Sequence, residues 1–99
     1  MILHTVNKSS FHNNSLDACL RVAQAGCGIV LIEDGVYAAT DLQNNRLTEQ
    51  ILSAHTVYAL VPDLKARGLL ARVLPGIELV DYQGFVALTE SFDSVQSWY

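Results

Sequence analysis

The stretch Gly28-Ile29-Val30-Leu31-Ile32, closed by Glu33-Asp34-Gly35, constrains this chain more than any other. Its apolar residues run on without alternating with polar ones and stop at an acidic turn. This is the pattern of a short strand covered on both faces, as at the centre of a parallel sheet. Parallel neighbours cannot be joined by tight hairpins, so helices or long crossovers must precede and follow the strand. In an open sheet of this kind the functional crevice is expected beyond the strand carboxyl ends, here near Glu33 to Tyr37.

The rest of the chain supplies such neighbours. Ile2 to Val6, Thr56 to Val61, Ile77 to Val80 and the alternating tail Ser94 to Tyr99 read as further strands, the last at an edge. Phe11 to Ser15 is polar and rich in capping residues, so a helix is expected from Ser15 to Ala25, ended by Gly26. Asp34 is placed to cap a helical turn over Val36 to Ala39. Asp63 is placed to cap Leu64 to Arg67, which Gly68 closes. Leu47 to Ser53 suggests a short helix with Leu47, Ile51 and Ala54 inward, and Asp41 to Arg46 an exposed loop. Pro75-Gly76 marks a turn. Asp81 is positioned to cap a helix from Tyr82 to Glu90, with Phe85, Val86, Leu88 and Thr89 over the sheet and Gly84 at a close approach. Strand and helix alternate throughout. The predicted fold is an α/β three-layer sandwich with a mainly parallel sheet of about five strands, residues 1–99 forming one domain.

Composition points to company. Of 99 residues, 51% are hydrophobic and only 16% charged, whereas a domain this small buries roughly two thirds of its unfolded surface. In the first helix Leu16, Leu20 and Ala23 share a line that Cys19, Val22, Ala18 and Ala25 widen past half the circumference, more than one sheet face needs. Association with other chains, or with a second copy, is therefore expected. The net charge of -4, with the six basic residues scattered, leaves no stripe for a phosphate backbone and argues against direct nucleic-acid binding. No apolar run approaches a membrane span, and the start lacks a secretory pattern, so the expected location is cytoplasmic. Cys19 and Cys27 form neither a C-x-x-C pair nor a disulfide framework, in keeping with a reducing compartment.

The chemistry-bearing residues are few. Neither phosphate-cradling glycine pattern is present. Glu33 and Asp34 point apart on an extended strand and read as a solvated turn, and His4, His12 and His55 share no ligand spacing, so neither cofactor nor metal is expected. His4 reads as a hydrogen-bonded core residue, and Cys27 as a small buried hydrophobe. Cys19 lies near a helix N-terminus, where the helix dipole favours a thiolate, and on a flank that an interface would make accessible. A stand-alone enzyme built on Glu33, Asp34 and His4 is the weakest alternative.

Several stretches resemble one family: Ile2-Leu3-His4-Thr5-Val6-Asn7-Lys8-Ser9, Ser15-Leu16-Asp17-Ala18-Cys19-Leu20, Glu33-Asp34-Gly35-Val36-Tyr37-Ala38-Ala39, Asp63-Leu64-Lys65-Ala66-Arg67-Gly68, Val80-Asp81-Tyr82-Gln83-Gly84-Phe85-Val86 and Val95-Gln96-Ser97-Trp98. Almost end to end, the chain resembles the DsrH/TusB family, departing from it at Ser10, where many relatives place proline. The resemblance implies a subunit of a cytoplasmic sulfur-relay complex, joined to DsrE/TusD-like and DsrF/TusC-like subunits in a heterohexamer, with a DsrC/TusE-like sulfur acceptor. Its pathway would be 2-thiolation of tRNA wobble uridine or sulfur oxidation. Cys19 falls on the first-helix cysteine of DsrH-type members, which some TusB-type members lack, and so becomes the candidate persulfide carrier and catalytic residue. The principal persulfide cysteine belongs to the DsrE/TusD-like subunit. This chain is therefore expected to be an auxiliary carrier or, alternatively, a non-catalytic scaffold.

Overall fold

A computed structural model describes residues 2–9, 15–40, 47 and 49–98, with Glu49 described by its backbone alone. The polar segment before the first helix and the loop expected over 41–46 lie outside the described residues, as does His12.

Five strands form one sheet: β1 (Ile2–Val6), β2 (Gly28–Leu31), β3 (Thr56–Leu60), β4 (Glu78–Val80) and β5 (Ser94–Trp98). All pairings are parallel and the order is β4-β3-β2-β1-β5. The uninterrupted apolar run is thus the central strand, and each of its four residues is buried. Four α-helices accompany the sheet: α1 (Ser15–Val22), α2 (Glu49–Ala54), α3 (Val61–Ala66) and α4 (Tyr82–Ser91). A 3-10 helix, Glu33–Ala39, follows β2 directly.

The two sheet faces are covered unequally. On one, Val6, Ile29, Leu31, Val57 and Ala59 pack with Leu16 and Cys19 of α1, Leu64 of α3 and Val36 of the 3-10 helix in the main core. On the other lie Leu3 and Val30, fully buried. There α4 runs over Val80, and Phe92 behind it reaches Gly28, where an added Cβ would come within 2.7 Å of the phenyl ring. None of the residues of α4 is buried. The expected cap is present, since Asp81 Oδ1 accepts a hydrogen bond from the Gly84 N–H at 2.7 Å. Gly84 also makes the expected close approach, with its Cβ position 3.3 Å from Val80.

Several local expectations are corrected. Helix α1 ends at Val22 rather than Ala25, because the chain turns between Gln24 and Cys27, whose N–H bonds the Gln24 carbonyl at 3.1 Å; Gly26, at φ 88°, belongs to that turn. Asp34 caps nothing, since Ile32 precedes the 3-10 helix without a side-chain cap and the Asp34 carboxylate pairs with Arg67 at 2.9 Å. Asp63 sits inside the first turn of α3, and its Oδ2 accepts from the Glu33 backbone N–H at 2.6 Å. Leu47 is buried, but Ala54 is exposed. Val86, expected over the sheet, is 54% exposed. The wide apolar arc of α1 is largely used by its own sheet: Leu16 and Cys19 are buried and Leu20 and Ala23 pack against the core, leaving Val22 exposed.

Gly35 ties the 3-10 helix to β1. A side chain there would run into the Val6 carbonyl oxygen, and that carbonyl accepts the Ile32 N–H at 3.0 Å. The first turn after β2 is therefore pressed against the end of β1 at a distance only glycine permits.

Candidate functional site

Cys19 lies on the face of α1 that the sheet covers, one turn from Leu16, and is 0% exposed. Burial, with a smaller contribution from Cys27, pushes its thiol up to about 12. The helix dipole is outweighed because enclosure removes the water a thiolate needs. The expectation that Cys19 would be accessible at an interface flank is corrected for this chain: the sheet covers Cys19 together with the line of Leu16, Leu20 and Ala23.

Cys27 immediately precedes β2 and His55 immediately precedes β3. The parallel register pairs Gly28 with Thr56, and the Thr56 N–H reaches the Cys27 carbonyl at 3.3 Å. This alignment sets the side chains before the two strands next to each other, with Cys27 Sγ 3.3 Å from His55 Nδ1. Cys27 is 3% exposed, and burial raises its thiol. The sequence reading of Cys27 as a small hydrophobe captured the burial and missed the imidazole. The signal was available, since aligning the starts of two adjacent parallel strands puts the residues before them side by side.

His4 is buried at 4% exposure, and its Nδ1 accepts a hydrogen bond from the Trp98 indole N–H at 3.0 Å. Burial lowers its pKa below 6.5, with His55 as the second cause. It is the hydrogen-bonded core histidine expected from the sequence, with a partner contributed by the opposite end of the chain.

His4 and Cys27 meet at a cavity of about 490 Å³ lined also by Trp98, Ile2 and Val22, with Gln24 and Gln96 on its wall. The cavity lies toward the amino ends of β1 and β2, opposite the carboxyl-end crevice expected near Glu33 to Tyr37. At that carboxyl end Glu33 and Asp34 are engaged with Asp63 and Arg67, so the structure does not bring them together with His4. Among the described residues no group of His, Cys, Asp or Glu is arranged to hold a metal ion, and no helix is long and apolar enough to cross a membrane.

Residues 8–95 match the family model described as DsrH like protein. The chain is 40% identical over 98 residues to Protein TusB of Escherichia coli K12 and 37% identical to Protein TusB of Pectobacterium parmentieri, in each case across 98% of this chain and 100% of the relative. Among solved structures it is similar to the ychN protein of E. coli, with a TM-score of 0.78 at 19% identity over 97% of both chains. A protein of unknown function from Methanobacterium thermoautotrophicum superposes with a TM-score of 0.68 at 14% identity over 96% of both. These last two likenesses bear on the fold alone.

Proposed function

This chain belongs to the DsrH-like family, and from that premise we propose that it is a cytoplasmic subunit of a sulfur-relay complex of the DsrEFH or TusBCD kind. In this reading it assembles with DsrE/TusD-like and DsrF/TusC-like subunits, and the complex passes persulfide sulfur between protein cysteines to a DsrC/TusE-like acceptor. Sulfur attacked by a thiolate moves with no metal or organic cofactor. The pathway is tRNA wobble-uridine thiolation or sulfur oxidation, and gene neighbours separate them: dissimilatory sulfite reductase genes point to the second, relay genes alone to the first.

The enclosure of Cys19 supports an assembly role for that part of the chain. With its thiol near 12, on the order of one molecule in 10⁵ holds the Cys19 thiolate at neutral pH, and that thiolate has no route to a donor without α1 lifting from the sheet. The first-helix cysteine then acts as packing, and the persulfide chemistry is carried by other cysteines of the complex. In the assembled complex, Cys19→Ser is expected to leave both assembly and the rate of sulfur relay unchanged, read by co-purification and by sulfur delivered to the acceptor. A relay rate reduced tenfold or more with assembly intact would instead make Cys19 the carrier.

A further inference from the structure

We propose that Cys27, with His55 as its proton acceptor, is a sulfur-accepting thiol that takes sulfane sulfur from a small organic persulfide entering the cavity beside His4 and Trp98. The choice of sulfur as cargo rests on the sulfur-relay reading; the thiol, the base and the cavity stand on geometry.

Of the two cysteines, Cys27 lines the cavity, whereas Cys19 is fully enclosed in the main core. Cys27 also has a base, with His55 Nδ1 3.3 Å from Sγ. His4 supplies a second observation. Its Nδ1 is occupied by the Trp98 indole N–H, which puts the ring proton of the neutral imidazole on Nε2. No acceptor among the described residues meets that N–H, and the ring, buried though it is, forms part of the cavity wall. The thiol of Cys27 and the imidazole N–H of His4 thus share the wall of an opening bounded by Trp98, Val22 and Ile2, and His55 contacts the thiol from outside that lining. Apolar walls suit polarisable sulfur, and the donor suits the negative charge that develops on a leaving thiol. A volume of about 490 Å³ accommodates a small molecule.

The step balances without an oxidant. The Cys27 Sγ proton passes to His55 Nδ1, and Sγ attacks the sulfane sulfur of the donor. The Sγ–S bond forms as the S–S bond of the donor breaks, and the donor sulfur leaves with the electron pair, facing His4 Nε2–H, to be protonated from His55. The transferred sulfur keeps its hydrogen, so Cys27 ends as a persulfide and the donor as a thiol. The titratable groups near Cys27 are His55 before β3 and Cys19 on α1, with His4 of β1 on the same cavity wall. Because burial raises the Cys27 thiol, the reaction depends on the imidazole.

The full chain incubated with glutathione persulfide, then mapped by peptide mass, is expected to carry one added sulfur on the Cys27 peptide. Cys19→Ser should retain that mark and Cys27→Ser lose it. His55→Gln, with unchanged circular dichroism, should slow the reaction by about a hundredfold. Sulfur on Cys19 in preference to Cys27, no added sulfur, or an unchanged rate in His55→Gln would overturn the assignment. Alkylation of Cys27 by iodoacetamide without persulfidation would overturn it as well. Failure of the relay reading is seen separately, in co-purification and acceptor sulfur.

Discussion

The thiols of Cys19 and Cys27 differ because of what stands beside each sulfur. Cys19 meets apolar side chains of its own core, so the folded protein holds its proton far above the ordinary thiol value of 9.0, up to about 12. A raised folded-state pKa stabilises the fold fully below the unfolded value and ceases to do so as pH climbs through the folded one. Urea midpoints are therefore expected to fall between pH 9 and 12, and less steeply in Cys19→Ala; equal slopes in the two proteins would refute the enclosure of this thiol. His4 acts at the other end of the scale, its lowered value giving stability above pH 6.5 that is lost on acidification. The burial of His4 was legible from its place inside an apolar strand, whereas that of Cys19 was misread, because the residue stands beside the line of Leu16, Leu20 and Ala23 and the sheet covers more of the helix than that line. The neighbours were not legible: Trp98 reaches His4 from 94 positions away, and His55 reaches Cys27 only through the strand register.

At the level of elements the strands were the most readable feature, because β-branched runs bounded by turns name their type and their limits to within a residue; Val61, read as strand, opens α3, and Ile77 precedes β4. The caps were misread wherever a distant partner competed. Asp34 and Asp63 both carry good local signals for capping, yet Arg67 takes the first and the Glu33 N–H the second; Asp81, with no such rival among the described residues, caps α4 as its sequence suggests. The difference is measurable. Asp34 is largely exposed, so Asp34→Ala is expected to cost no more than about 0.5 kcal/mol. Asp63→Ala removes a charge-assisted hydrogen bond to a backbone N–H and should cost about 1 kcal/mol. Denaturation midpoints that reverse this order would contradict the assignment. Gly35→Ala has no room to relax, because its new methyl group meets backbone rather than a movable side chain. A loss on the order of 3 kcal/mol is expected, and a wild-type melting temperature would show that the turn does not press on β1 as described.

On the scale of the whole molecule, the thin cover on one side of the sheet carries the argument for association further than α1 does. Tyr82 and Val86, one turn apart on α4, are 59% and 54% exposed, and Val95 on β5 is 45% exposed. The composition anticipated a surplus of apolar surface but assigned it to the first helix, because helical periodicity shows how wide an apolar arc is and not how much of it the sheet will cover. Alone in solution the chain is expected to sediment as more than a monomer, through an interface of roughly 800 Å² per copy, and Val86→Asp with Tyr82→Ser should shift it to monomer while the fold is kept. A single monomeric wild-type species at micromolar concentration would remove this expectation. The strand order has a further consequence for how the protein comes into being. Strand β1 lies between β2 and β5, so the indole bond to His4 and the Thr5 to Ser97 hydroxyl contact join residues more than ninety positions apart. A nascent chain emerging from the ribosome holds β1 half-paired until β5 follows it out. Until β5 has been made, the hydrogen-bonding edge that it will occupy is open, and a chaperone has that long to cover it.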